Sequence, residues 1–158
     1  MKTIVDIETK VNEILKDFCP YRFPFVVKEI NSSRQNGSVG FNVIKKGITY
    51  TEDKNTICLK INSRLLRAGN EKRLERTIAH EVYHMIQLEM YSEREYRDKK
   101  ATYIGENDVT AYAPNVLELE AEVFTINLLG RSNHSWVNAK QSDLYKKTLT
   151  DILNHQTI

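Results

Sequence analysis

Long apolar runs are missing from this 158-residue chain. Nothing approaches the ~20 residues of a membrane-spanning helix, and the opening MKTIVDIETK lacks the apolar stretch of a secretory signal. Membrane insertion and secretion by that route are therefore not expected. Cysteine is scarce: Cys19 and Cys58 stand far apart, in neither a C-x-x-C pair nor a disulfide framework. They read as reduced thiols, which points to the cytoplasm. An excess of one charge is also lacking, since 23 basic side chains meet 21 acidic ones. That balance gives no argument for nucleic acid by itself. There is no internal repeat, no low-complexity tract and no Pro/Gly-rich linker, so one domain spanning residues 1–158 is expected. With 41% hydrophobic and 28% charged residues the composition is that of a folded soluble protein, and its length suffices for a real core.

The pattern along the chain changes twice. Ile4, Ile7, Val11, Ile14, Leu15 and Phe18 recur at helical steps until Pro20 and Pro24, which cannot continue a helix interior. Residues 25 to 62 hold short β-rich runs at Phe25–Ile30, Val39–Ile44, Ile48–Thr51 and Thr56–Ile61. Asn36-Gly37, Lys46-Gly47 and the polar Glu52–Asn55 stretch separate them. This predicts three or four strands, mainly antiparallel. Asn62 or Ser63 then caps a short helix that Gly69-Asn70 breaks. From Glu71 to about Tyr91, a wide stripe through Leu74, Ile78, Val82, Met85 and Ile86 predicts a central buried helix. Residues 92–114 read as a long polar loop, 115–129 as a helix stopped by Gly130, and 138–154 as a last helix. The fold class is thus α+β.

The decisive segment is His80-Glu81-Val82-Tyr83-His84 in the central helix. Residues four apart lie one turn apart on one face, so two imidazoles can converge on one Zn²⁺. Glu81, rotated by about 100°, is placed to act on a water as general base. A chance H-E-x-x-H is expected in about one shuffled sequence of this composition in a hundred, and the uncharged neighbours make coincidence rarer still. The bland alternative is two ordinary helix histidines beside a solvated glutamate.

A catalytic zinc site generally has three protein ligands. His134 and His155 are the other histidines, and neither follows at the short spacing of a third-histidine motif. The helix NVLELEAEVFTINLL is the better source. Glu120 lies on its stripe of Leu117, Ala121, Phe124 and Leu128, where an unpaired carboxylate would be costly to bury. Glu118 is the runner-up; with Glu122 it shares an adjoining, more solvated face. From Ala101 to Gly130 there are five acids, Glu106, Asp108, Glu118, Glu120 and Glu122, and no Lys or Arg. A nearby dication would relieve their repulsion.

TIAHEVYHMI followed by ELEAEVFTINLL resembles the small gluzincin metallopeptidases, and most nearly the ImmA/IrrE-like peptidases. That family pairs HExxH with a downstream Glu-Ala-x-x-Phe helix supplying the third ligand. By that resemblance Glu120 is the ligand, within Glu-Ala-Glu-Val-Phe-Thr at 120–125. The order of helix, small sheet, metal helix and ligand helix also resembles SprT-like domains, and implies a zincin-like fold. The family's Met-Pro ending is here Gly130-Arg131, and the SprT-like third histidine is absent. The resemblance covers about residues 74 to 130.

The expected function is zinc-dependent hydrolysis of a peptide or protein substrate. Oxyanion donors are sought among Tyr91, Tyr96, Tyr103, Tyr112, Arg94 and Arg97. The alternative is a zincin-fold binding or regulatory module without turnover. It includes a DNA-associated form, since Arg64, Arg67, Lys72, Arg73 and Arg76 cluster ahead of the metal helix. A solvated basic face is the simpler reading of that cluster.

Overall fold

The computed structural model describes residues 2–18, 24–102, 115–130 and 143–154. The elements run α1 (Ile4–Phe18), β1 (Phe25–Ile30), β2 (Gly37–Lys46), β3 (Thr49–Asn62) and a 3-10 turn (Ser63–Leu66). They continue through α2 (Glu71–Met90), α3 (Glu93–Ala101), α4 (Val116–Leu129) and α5 (Asp143–Asn154). The protein is α+β, as expected.

The sheet has three strands in the order β1-β3-β2 and is mixed: β2 pairs antiparallel with β3, while β1 runs parallel to it. The expected mainly antiparallel arrangement is thus only half right. Burial explains the order. Ile57, Leu59 and Ile61 of β3 have no exposed surface, and Cys58 on the opposite face is buried too. The most buried strand takes the centre, with only Lys60 exposed between Ile57 and Asn62, leaving β1 and β2 as edges. Two runs anticipated as separate strands, Ile48–Thr51 and Thr56–Ile61, lie almost wholly within the one long strand β3. Its partner shifts from Ile57 opposite Phe41 to Asp53 opposite Asn42, so the polar residues between them form a bulge and not a turn. Beyond the bulge, β2 and β3 continue as an exposed ribbon turning at Gly47, whose φ of 62° suits glycine.

Helix α2 is the centre of the molecule, touching the sheet, α1 and α4, while α3 and α5 pack on α4. Ile7, Val11 and Ile14 of α1 join Leu74, Ile78, Val82 and Met85 of α2 in the core. Tyr83 stacks on Phe124 with ring centroids 4.7 Å apart, fastening α2 to α4. Helix α3 occupies sequence read as loop. Ser92 caps it with a reciprocal capping box to Glu95, a Ser-x-x-Glu signal present in the sequence and outweighed there by the polarity around it. Among the described residues, no helix is long and apolar enough to cross a membrane.

Candidate metal centre

Helix α4 presents Glu118 to α2 from its first turn. Asn115 caps the helix by accepting from the Glu118 backbone N–H at 2.9 Å, and an acid there is favoured by the helix dipole. The Glu118 carboxylate meets both histidines, with Oε2 2.9 Å from His80 Nε2 and Oε1 3.1 Å from His84 Nε2. The two Nε2 atoms are 3.0 Å apart. Ligand-capable atoms of His80, His84 and Glu118 all lie within 4.8 Å of one another. The structure therefore brings Glu118 to the histidine pair, and places Glu120 elsewhere.

Glu120 is buried in a network of its own. Its Oε1 accepts from Tyr91 Oη at 2.8 Å and Gln87 Nε2 at 3.0 Å, and its Oε2 from Lys99 Nζ at 3.0 Å. The expectation that a buried carboxylate needs a strong partner holds, and the partners here are a lysine, a tyrosine and an amide. The reason the helix phase pointed to Glu120 is visible in α4. Every residue from Leu119 to Ile126 is buried, so the helix has no single inward face from which to choose a ligand. Glu122, anticipated as solvated, is 3% exposed and lies 2.5 Å from His80 Nδ1, a close ionic contact without hydrogen-bond alignment.

The donor set fits zinc chemically: two imidazole nitrogens and a carboxylate oxygen. Four-coordinate zinc with bonds of ~2.0–2.1 Å spaces its ligands about 3.3 Å apart. The 2.9–3.1 Å separations here are a few tenths of an ångström shorter, within reach of small side-chain rotations.

The ionisation states follow from the packing. Burial opposes charge on His80, but its contacts with Glu118 and Glu122 prevail and hold it well above the ordinary histidine value. Burial likewise pushes Glu118 upward, yet its hydrogen bonds to His80 and His84 win and hold it well below the carboxylate range. Glu81 is the reverse case. Burial raises it, the two histidines lower it, and nearby Glu118 and Glu122 raise it further, leaving it above the ordinary carboxylate value.

These side chains border a cleft of about 650 Å³. Its walls include Gly37 and Val39 of β2, Glu81 of α2, Tyr96 and Lys100 of α3, and Glu122 of α4. Tyr96 is the one oxyanion candidate among the described residues that lines this cleft; burial, then Glu118 and Glu81, raise its hydroxyl's pKa. Tyr91 is committed to Glu120, and Arg94 and Arg97 are exposed. Cys19, Tyr103, Glu106, Asp108, Tyr112, His134 and His155 lie outside the described residues; Cys58 is a free, buried thiol. In the basic cluster, Arg64 is occupied with the Asn36 side chain at 2.6 Å and the Ser32 carbonyl at 3.5 Å.

Several working residues had not been singled out from sequence. Gly37 reads in the sequence as turn punctuation, but it begins β2, where a Cβ would stand 3.1 Å from Glu81 Cγ. Gln87 carried no signal beyond its place one turn after His84.

In comparisons with protein-family models, curated proteins and solved structures, nothing matches the chain.

Proposed function

We propose that this protein is a zinc-dependent peptidase, with His80, His84 and Glu118 as metal ligands and Glu81 as general base. One observation carries the proposal: two histidine nitrogens and a carboxylate converge in an open cleft beside a buried glutamate of raised pKa. Zinc held by these three side chains would supply Lewis acidity, polarising a substrate carbonyl and acidifying a water. Glu81 accepts the proton of the attacking water and hands it to the leaving amine. Its burial, which disfavours the charged form, suits a group that must take up a proton. Tyr96, beside the same cleft, offers a hydroxyl to the oxyanion that develops on the former carbonyl.

A peptide is favoured over a compact metabolite because one wall of the cleft is the start of β2, an edge strand of the sheet. An extended chain can add to such an edge through main-chain hydrogen bonds. The ImmA/IrrE-like resemblance supports the same reading, with the ligand moved from Glu120 to Glu118. A catalytically silent binding module is the alternative; it gives no reason for an acid to be buried beside the histidines.

The test is metal content together with turnover. Purified protein never exposed to chelator is expected to hold one zinc, and His80→Ala to hold none. Wild-type protein without stoichiometric zinc would end the metal reading. Zinc-loaded protein inert toward a broad peptide library would end the peptidase reading.

A further inference from the structure

The buried network around Glu120 touches the metal centre through one residue. Gln87 lies one turn beyond His84 on α2 and has no solvent exposure. Its side-chain amide nitrogen is 3.0 Å from the Leu117 carbonyl and 3.0 Å from Glu120 Oε1. A backbone carbonyl can only accept a hydrogen bond, and so can an ionised carboxylate, so the amide must present its NH₂ to both. That removes the usual ambiguity between the oxygen and nitrogen of a glutamine. The amide oxygen is thereby turned toward His84 Nδ1, 2.7 Å away. An oxygen at that distance needs a proton on Nδ1. With a metal in place the lone pair is then the one on Nε2, which faces His80 and Glu118; without metal the Glu118 carboxylate, 3.1 Å from Nε2, competes with Gln87 for the ring proton.

We infer that Gln87 is a positioning residue that fixes the His84 tautomer for metal binding, and that Glu120 serves the site by anchoring Gln87. The inference rests on the metal reading above and assigns Glu120 a role two hydrogen bonds from His84. Lys99 and Tyr91 complete the anchor by holding the Glu120 carboxylate still: Lys99 Nζ pairs with Oε2, and Tyr91 donates to Oε1. Lys99 comes from α3, the helix that also brings Tyr96 to the cleft, so the network ties that wall to the histidine pair. Hydrogen bonds of this kind to the far nitrogen of a ligating imidazole hold the ring's orientation, and their loss typically costs 10–100-fold in metal affinity.

The experiment combines tautomer and affinity. Long-range ¹H–¹⁵N NMR of metal-free Glu118→Ala protein, which lacks the carboxylate facing Nε2, is expected to show the neutral His84 ring with its proton on Nδ1. Adding Gln87→Leu, similar in size but without an acceptor, should give a mixture of tautomers or the Nε2–H form, and Gln87→Leu alone tests affinity. Its zinc affinity should fall 10–100-fold in competition with a chromophoric chelator. Glu120→Gln should shift tautomer and affinity in the same direction by less, because the Leu117 carbonyl still holds the amide. An Nε2–H tautomer in the Glu118→Ala protein would overturn the inference even if Gln87→Leu fails to fold. Unchanged tautomer and affinity in a folded Gln87→Leu protein would overturn it as well. Wild-type protein that binds no zinc, with an Nδ1–H ring in the Glu118→Ala variant, would instead refute the metal reading and leave the Gln87 geometry standing.

Discussion

Replacing Gly37 by alanine tests how β2 holds the proposed base. An added Cβ would lie 2.9 Å from the Lys60 carbonyl oxygen, 3.1 Å from Glu81 Cγ and 3.3 Å from Thr77 Cγ2. Carbon atoms in comfortable contact stand ~3.5–4.0 Å apart, so all three neighbours are too close. Lys60 is backbone of the central strand, flanked by Leu59 and Ile61 with no exposed surface, and has little room to retreat. Relief must come from Glu81 and Thr77, or from β2 lifting off α2. Overpacking of this kind costs about 1–3 kcal/mol. Against it stands the ~0.4–1 kcal/mol by which alanine stiffens the unfolded chain where its backbone angles are acceptable. Gly37 is not among the positive-φ glycines, so that gain applies. The net loss is about 1–2 kcal/mol, a fall of ~2–8 °C in melting temperature for a chain this long. Displacing Glu81 by several tenths of an ångström should also reduce peptide hydrolysis, toward the ~100-fold that a misplacement of about 1 Å can cost. Gly40 in the same strand is the control, since a Cβ there meets nothing within 4 Å and Gly40→Ala should be neutral or slightly stabilising. Thermal melts and initial hydrolysis rates of both variants decide the matter. A Gly37→Ala protein that melts no lower than wild type and cleaves as fast would show that the approach of β2 does not position Glu81.

Four further outcomes follow from the same geometry. Glu118→Ala should lose zinc affinity by more than 100-fold while Glu120→Ala loses 10–100-fold at most, read by chelator competition; the opposite ranking would return Glu120 to the ligand set. Glu81→Gln should retain zinc and lose hydrolysis, and undiminished cleavage would remove Glu81 as base. Tyr96→Phe should lower kcat more than it raises KM if its hydroxyl serves the oxyanion; an effect on KM alone would assign it to binding. In chelated protein, the contribution of His80, whose pKa is raised, is complete below the ordinary 6.5 and fades as pH climbs through the raised value. That of Glu118, whose pKa is lowered, is complete above 4.5 and fades as pH falls through the lowered value. These two contributions are both complete between about pH 4.5 and 6.5, and buried Glu81, whose raised pKa favours folding most below 4.5, draws the optimum of the chelated protein toward the acid end of that window; stabilisation by added zinc should grow with pH as His80 gives up its proton. A chelated protein most stable at alkaline pH would contradict that ion pair.

The elements built on periodicity were legible. Helix α1 spans the Ile4–Phe18 pattern, α2 the Glu71–Met90 stripe, and α4 ends where Gly130 turns left-handed with a φ of 87°. These are local matters: a 3.6-residue repeat, a capping side chain and a glycine are read from neighbours in the chain. Helix α3 is missed in the sequence and reads as loop: Ser92 and Glu95 carry a capping signal, but an exposed helix has no apolar stripe to support it. Strand partners were less legible. That β1 runs parallel to β3 depends on the path of the chain between them, and no strand carries that information alone.

At the site the same division holds. The sequence alone determined that His80 and His84 share a face with Glu81 beside them, because an α-helix sets those angles wherever it is placed. Only the tertiary structure decided between Glu118 and Glu120, whose backbone directions differ by about 200° on a helix buried along most of its length. Which of them meets the histidines depends on how α4 is rotated and shifted against α2. That packing is set by Tyr83 on Phe124, by Gln87 on the Leu117 carbonyl and by Lys99 drawing Glu120 away. Each of these joins residues more than 20 positions apart. A side chain's direction from its own helix is a local property, while what stands in that direction is fixed by the packing of distant segments.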